Sequence, residues 1–443
     1  MEKVLVIGAA RSGVAAAKLL KREGYDVILT DMKDIPEQEE LEALGIAVYG
    51  GGHPESLKDE EYAFIVKNPG IPYRAPLVAY FKEKGVPIYT EIETAYRAAA
   101  PDFVYGAITG TDGKTTITTL LYEMLKAHDK NAQVAGNIGI PLSEIVLNKP
   151  EGKTPVALEL SNFQLLGIDQ FHPHISVVSN LAPDHLDYMD SLEDYYASKF
   201  RIAMNETQDD YFIRNLDDPE IMKRAVNLPC QVIDFSLNDP KANLKVVNGK
   251  AMLDDVVLFE VKDLKLVGSF NLANTMMAAA MAYHLDVPAE TIADVIRNFK
   301  GVEHRIEYVD EIDGVRIYND SKATNTHSAS AALSSFEQGV RLLAGGKDKG
   351  IDYSVLKEFD DRIAKCYAFG QIEDQFKDIF SRTDTCQTME NALDKALEEA
   401  KSGDVILLCP ATSSFDQFKN YEVRGEIFKQ LVADRLSKKR NQK

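Results

Sequence analysis

Apolar residues fall along this chain in short continuous blocks, each followed by a stretch with helical spacing. Residues 4–7 form one such block and run straight into Gly8. Apolar positions three and four apart then predict a helix over 14–21, and 27–30 is a second block. Blocks this short, with no polar alternation, are the mark of strands covered on both faces, as in parallel sheets flanked by helices. The pattern restarts at 104–109, with a helix predicted over 115–127 and further strands at 156–160 and 175–179. Between 245 and 267 the period shortens to two, as in a small antiparallel patch, and 271–285 reads as a helix. A third restart near Gly301 brings strands at 316–318, 341–344, 365–369 and 405–409, with helices such as 389–400 between them. An amphipathic helix over 426–436 closes the chain, and the basic residues 438–440 read as a frayed, solvated tail.

Three restarts predict three α/β domains, with boundaries near 95 and 300: 1–95, 96–300 and 301–443. The 443 residues suit that number, at about 150 residues per domain. Composition adds exclusions. Acidic residues number 69 against 50 basic ones, for a net charge of −19, a field that repels nucleic acid and anionic membrane surfaces. No run approaches the roughly 18–20 apolar residues of a membrane span, and the first residues lack a signal-peptide core. Cys230, Cys366, Cys386 and Cys409 are scattered without metal-ligand spacing, as in a cytoplasmic protein with reduced thiols.

Gly8-Ala9-Ala10-Arg11-Ser12-Gly13 lies between a predicted strand and helix, where a dinucleotide fingerprint would sit, and Asp31 ends the second strand. Ala10 replaces the middle glycine, and its methyl group hinders the close approach of a pyrophosphate. Three readings stay open: a dinucleotide, another nucleotide diphosphate, or a structural turn. The stretch 108–116 (Ile-Thr-Gly-Thr-Asp-Gly-Lys-Thr-Thr) carries more. It follows a strand and opens a helix, so Gly110 and Gly113 free backbone N–H groups for phosphate oxygens. Lys114 neutralises terminal phosphates there, and the Thr115 hydroxyl suits Mg²⁺. Ile108 stands where the full phosphate-loop pattern has its first glycine. Nucleotide triphosphate binding is the expectation.

Glu159 ends one predicted strand, and His185 follows another within 180–187 (Asn-Leu-Ala-Pro-Asp-His-Leu-Asp). Strand C-terminal ends converge on the ligand crevice of a parallel sheet, so both residues can serve a divalent cation. His172 and His174, around Pro173, read as structural. Lys199 reads, on its own, as a surface lysine of a helix.

Taken together, Gly110 to Thr116, 159–164 (Glu-Leu-Ser-Asn-Phe-Gln), 180–187, 196–199 (Tyr-Ala-Ser-Lys), 303–305 (Glu-His-Arg) and 319–325 (Asn-Asp-Ser-Lys-Ala-Thr-Asn) resemble the Mur ligases in order and spacing. The resemblance runs from Gly8 to the segment 416–424. It implies a Rossmann-like N-terminal domain, a central P-loop ATPase domain with a parallel sheet and a Rossmann-like C-terminal domain. It further implies a ligase of cytoplasmic peptidoglycan precursor synthesis whose substrates are UDP-N-acetylmuramoyl-L-alanine, D-glutamate and ATP, working through an acyl phosphate with Mg²⁺. By position in the motifs, Ser12, Gly13, Asp31, Asn68, Gly70, Asn137 and Ser161 would bind the UDP-sugar. Gly110, Thr111, Asp112, Gly113, Lys114, Thr115, Thr116, Asn274, Arg305 and Asp320 would bind ATP. Thr324, Lys349, Ser414 and Tyr421 would hold D-glutamate, with Lys347 as the alternative to Lys349. Thr115, Glu159, His185 and Lys199 would hold metal, Lys199 as a carbamate formed with CO₂; Lys114, Glu159, His185 and Lys199 form the implied catalytic set. The implied molecule is a monomer without nucleic-acid or membrane partners. One departure stands out: the family more often carries Asn where this chain has Asp112.

Rival readings are an L-alanine-adding member of the family, a folylpolyglutamate synthetase-like ligase, which lacks a UDP-binding first domain, and a nucleotide-gated binding module. A dehydrogenase leaves the phosphate loop unexplained.

Overall fold

The computed structural model describes residues 1–148, 152–183, 189 and 191–441. Strands β1 (Lys3–Ile7), β2 (Asp26–Thr30), β3 (Ala47–Tyr49), β4 (Phe64–Lys67) and β5 (Ile88–Tyr89) build a first, parallel sheet in the order β3-β2-β1-β4-β5. Side chains alternate across it: Val4, Val6, Val27 and Leu29 enter a core on one face, and Leu5, Ile7, Ile28 and Ile65 enter a core on the other. Two buried faces explain why these strands read as unbroken apolar blocks. The strand order reverses beside β1, which puts a topological switch point, and so a ligand crevice, between the ends of β1 and β4.

The central sheet has nine strands: β6 (Phe103–Thr109), β7 (Gln133–Gly136), β8 (Thr154–Glu159), β9 (Ile175–Val178), β10 (Tyr211–Asn215), β11 (Gln231–Phe235), β12 (Leu244–Val247), β13 (Lys250–Leu253) and β14 (Val256–Glu260). Their order is β14-β13-β12-β11-β10-β9-β6-β8-β7. Pairing is parallel from β7 through β12 and antiparallel at β12–β13–β14, so the period-two stretch is an edge extension of the parallel sheet. The third sheet contains β15 (Glu307–Ile312), β16 (Val315–Asn319), β17 (Val340–Gly345), β18 (Ile363–Phe369), β19 (Thr383–Thr385) and β20 (Val405–Leu408), in the order β15-β16-β20-β17-β18-β19. β15 is antiparallel to β16; the other pairs are parallel.

The chain divides into two compact units, 1–261 with 273–296, and 262–272 with 297–443. The first unit holds the first and central sheets, joined through the helix Glu91–Ala98. The buried carboxylate of Glu93 accepts the backbone N–H groups of Asp169, Gln170 and Phe171 at 2.9–3.0 Å and pairs with Arg97 at 2.6 Å. Leu19 and Ile92 belong to the same apolar core as Val156, Leu158 and Phe171 of the central layer. The second unit buries Leu342, Ala344 and Leu407 on one face of its sheet and Leu343, Ile406 and Leu408 on the other.

The last helix corrects the sequence reading. It spans Tyr421–Asn441, beginning where Asn420 Oδ1 caps the N–H of Val423 at 2.8 Å and continuing through the residues read as a frayed tail. Arg435 anchors it to Glu390 and Asp394.

Candidate active site

At the first sheet's switch point the predicted residues converge. Gly8 has φ +101°, and a Cβ on Gly13 would lie 1.9 Å from the Gly8 carbonyl oxygen, so helix and strand meet as closely as they do because Gly13 has no side chain. Asp31 accepts the N–H of Ala9 at 2.7 Å and of Lys33 at 2.8 Å, tying the glycine loop to the end of β2. Asn68 Nδ2 donates to Ser12 Oγ at 3.0 Å, and its Oδ1 accepts the Gly70 N–H at 3.2 Å. Ser12, Gly13, Asp31, Asn68 and Gly70 thus form one connected rim.

The phosphate loop is fastened to the end of β9. Ser179 Oγ donates to the Asp112 carbonyl at 2.6 Å, and the Asp112 N–H donates to Asn180 Oδ1 at 2.9 Å. Thr111 Oγ1 donates to the Ala182 carbonyl at 3.1 Å and accepts its N–H at 3.0 Å. A Cβ on Gly110 would sit 1.9 Å from Ser179 Oγ, and one on Gly113 would meet Asn274 Oδ1 at 2.5 Å. Asn274 is therefore brought against the loop. The main chain of Asp112 is held while its side chain is exposed. The helix Lys114–His128 starts at Gly113, whose φ is +81°. Lys114 Nζ donates to the carbonyls of Gly110 and Thr111 at 2.9 and 2.7 Å. Thr115 is half-buried and Thr116 buried in that first turn.

Glu159 ends β8 with 1% of its surface exposed. Its Oε1 accepts from Asn137 Nδ2 at 2.7 Å, whereas its buried Oε2 meets no hydrogen-bond partner among the described residues. Gly136 has φ +100°, and a Cβ there would lie 2.1 Å from the Glu159 carbonyl; that carbonyl accepts the Asn137 N–H at 2.8 Å. A buried carboxylate oxygen without a donor suits a hard divalent cation. Ser161 caps the short helix Asn162–Leu165 in a capping box with Gln164, so its hydroxyl is engaged locally.

Lys199 corrects the surface-lysine reading. On the helix Leu192–Phe200 it is 1% exposed, its Nζ donates to the Gly110 carbonyl at 2.7 Å, and it lies 4.4 Å from the Tyr195 ring centroid. Lys199 and Lys114 therefore share one carbonyl of the phosphate loop. The sequence reading missed Ser179 and Tyr195; the strand end and the helical i, i+4 spacing of Tyr195 and Lys199 were the available signals. His185 lies outside the described residues. His172 and His174 lie against Asp210 at 2.6 and 3.4 Å.

In the second unit Asp320 is buried, accepts the Ile306 N–H at 3.2 Å, and has its carboxyl pushed up to about 7 by burial, partly opposed by that bond and by Arg305. Arg305 is exposed. Lys349 Nζ donates to the Thr324 carbonyl at 2.9 Å, bringing these two together. Lys347 is instead held through its main chain, against Ser413 and Thr412. Ser414 is buried, and the Tyr421 carbonyl accepts from Ser321 Oγ at 2.8 Å. Arg424, to which the sequence reading gave no role, is fully buried and binds Ser321 Oγ, the Ser321 carbonyl and the Thr412 carbonyl at 2.9–3.3 Å.

A phosphate loop with a lysine from a neighbouring helix and a carboxylate oxygen without a donor among the described residues at the adjacent strand end suits an enzyme that uses a nucleoside triphosphate with a divalent cation. Family descriptions agree: residues 108–282 match the Mur ligase middle domain and 304–412 the Mur ligase glutamate ligase domain. The chain belongs to the Mur ligase family. It is 42% identical to the UDP-N-acetylmuramoylalanine–D-glutamate ligase of Geobacillus kaustophilus over 96% of both chains. It is 38% identical to the ligase of that name from Listeria innocua over 98% of this chain and 96% of the other. Among solved structures, the UDP-N-acetylmuramate–alanine ligase of Thermotoga maritima shares the fold with a TM-score of 0.54 at 19% identity, covering 99% of this chain and all of that one.

Proposed function

We propose that this chain joins D-glutamate to the alanyl carboxylate of UDP-N-acetylmuramoyl-L-alanine at the expense of ATP, through an acyl phosphate, in peptidoglycan precursor synthesis. Near-full-length identity to ligases of that name carries the substrate assignment. The cluster around Gly110 supplies the chemistry. A carboxylate is a poor electrophile, since its charge repels an amine and its oxygen leaves badly. Attack of that oxygen on the γ-phosphorus expels ADP and makes the oxygen part of a leaving group. The deprotonated amine of D-glutamate then adds to the acyl carbon, and the tetrahedral adduct expels phosphate. Positioning and charge neutralisation dominate such a transfer.

Lys114 at the loop neutralises transferring phosphate, and the loop N–H groups orient it. Glu159, through its unpartnered oxygen, with Thr115, Lys199 and His185, are the residues assigned to Mg²⁺, which supplies charge compensation when bound. We assign Lys199 as a carbamate: reaction of its buried amine with CO₂ exchanges a cation for an anion beside the metal. Residues 1–95 are assigned the sugar nucleotide through Ser12, Gly13, Asp31, Asn68 and Gly70, with Asn137 and Ser161 near the acceptor carboxylate. Residues 96–300 are assigned ATP. Residues 301–443 are assigned D-glutamate, with Lys349 pairing a side-chain carboxylate beside Thr324, Ser414 and Tyr421, and ribose and adenine contacts at Arg305 and Asp320. A monomeric cytoplasmic enzyme completes the proposal; no helix among the described residues is long and apolar enough to cross a membrane.

Phosphate release with UDP-N-acetylmuramoyl-L-alanine, ATP and Mg²⁺ tests the reading, with D-glutamate compared against L-glutamate and L-alanine. Release dependent on D-glutamate alone is expected; its absence, or equal release with L-alanine, overturns the substrate assignment.

A further inference from the structure

Lys67, the last residue of β4, is fully buried, and none of the site residues assigned above includes it. Its Nζ donates to three backbone carbonyls of the turn that follows, those of Asn68, Pro69 and Ile71, at 3.3, 3.4 and 2.8 Å. The ammonium also lies 4.8 Å from the Tyr73 ring centroid. Among the described residues no carboxylate lies within ion-pair distance of it. Among the described residues, the titratable and charged groups around it include Tyr73, whose hydroxyl donates to the Leu166 carbonyl, Lys82 at 5.4 Å from the centroid of the same ring, and Arg201, whose charge acts on Tyr73; Arg74, Glu83 and Asp194 line the same cavity as these three. Burial alone pushes the amine down to about 8.

A buried ammonium without an acid beside it is costly, and an aliphatic side chain of similar volume would pack at lower cost. The charge therefore calls for an anion elsewhere, and its location names one. Lys67 pairs in register with Ile7, the residue before Gly8, so it stands at the switch point between β1 and β4. The turn it holds carries Asn68, bonded to Ser12 of the glycine loop, and the exposed Gly70. Carbonyl oxygens repel phosphate; three of them are gathered onto the ammonium, that of Asn68 also accepting the Ile71 N–H at 3.0 Å.

We propose that Lys67 is a positioning residue for the diphosphate of the sugar nucleotide, acting through the 68–71 turn: it draws three carbonyls behind the turn and sets a positive charge beneath it. The proposal rests on the sugar-nucleotide assignment above. Lys67→Met keeps the volume and removes the charge. Its KM for UDP-N-acetylmuramoyl-L-alanine is expected to rise about tenfold, the scale of one lost charge-assisted contact. KM for ATP and for D-glutamate should change less than about twofold. In the unsubstituted enzyme the sugar-nucleotide KM should climb above about pH 8, and in Lys67→Met it should stay flat. An unchanged KM in the variant, a parallel rise for all three substrates, or a pH dependence that survives the substitution overturns the proposal. Absence of any turnover in the unsubstituted enzyme instead overturns the sugar-nucleotide assignment, and this proposal with it. Should Lys67→Met not fold, calorimetry of the unsubstituted protein decides. UDP binding that weakens between pH 7 and 9 while uridine binding does not supports Lys67, and identical pH behaviour of the two overturns it.

Discussion

Asn137 holds one carboxylate oxygen of Glu159 at 2.7 Å and leaves the other, equally buried, without a donor among the described residues. The amide fixes the carboxylate rotamer, so the second oxygen presents a lone pair in a defined direction. A buried oxygen in that condition is unfavourable for folding and suited to a cation.

Glu159→Gln should therefore separate activity from stability. Replacing the carboxylate removes a charged ligand, and kcat is expected to fall at least about 100-fold. The buried charge disappears as well, so the thermal midpoint should stay level or rise. Phosphate-release kinetics beside a melting curve reads both; a variant that loses activity only because it unfolds contradicts the assignment.

Gly13→Ala places a methyl group 1.9 Å from the Gly8 carbonyl. The helix Arg11–Arg22 must shift off β1, with a loss of about 2–4 kcal/mol. Urea unfolding should show that loss, and UDP binding should weaken more than ATP binding because the phosphate loop lies on another sheet.

Glu206 is buried near Ser176 and Cys230, and burial pushes its carboxyl from 4.5 up to about 7, with the nearby Asp210 charge adding to the shift. The folded chain thus holds a proton that the unfolded chain has released, and stability from this group is lost as pH rises from about 4.5 through 7. Glu206→Gln should match the unsubstituted protein near pH 4 and unfold at a higher temperature at pH 8, with unaltered kinetics. A stability gap that does not widen with pH counts against the buried acid.

Lys199→Ala should abolish turnover, with partial recovery on adding short carboxylic acids, which replace the carbamate anion. Full turnover by the variant, or recovery with amines instead, would remove the carbamate from the mechanism.

What the sequence made legible was local. Gly8 and Gly13, the 110–116 loop and the apolar blocks announce their roles within a few residues, because glycine freedom and strand burial leave short-range signatures. Partners distant in sequence left none. Nothing around Lys67 marks it as buried: a lone lysine after an apolar block reads as a strand end in water, and its ammonium is satisfied by carbonyls that have no identity in the sequence. Lys199 read as a surface residue on its own for the same reason, and the family's spacing, not its local chemistry, pointed to the site. Glu93 and Arg424 are similar cases, each binding backbone groups of segments far along the chain. The end of the last helix was missed because its anchor, Arg435, reaches acids of another helix.

The helix Glu91–Ala98 carries one more implication. Its Glu93 carboxylate closes three N–H groups of the 169–171 turn, and Ile92 shares a core with Phe171. Residue 95 is thus a border in the chain but no seam in assembly. A fragment ending there would leave Leu19 and Ile92 bare, and a fragment beginning there would remove the acceptor of the Asp169, Gln170 and Phe171 N–H groups, the last of them buried. The first sheet's switch-point crevice and the 110–116 loop thus belong to the same compact unit of the chain.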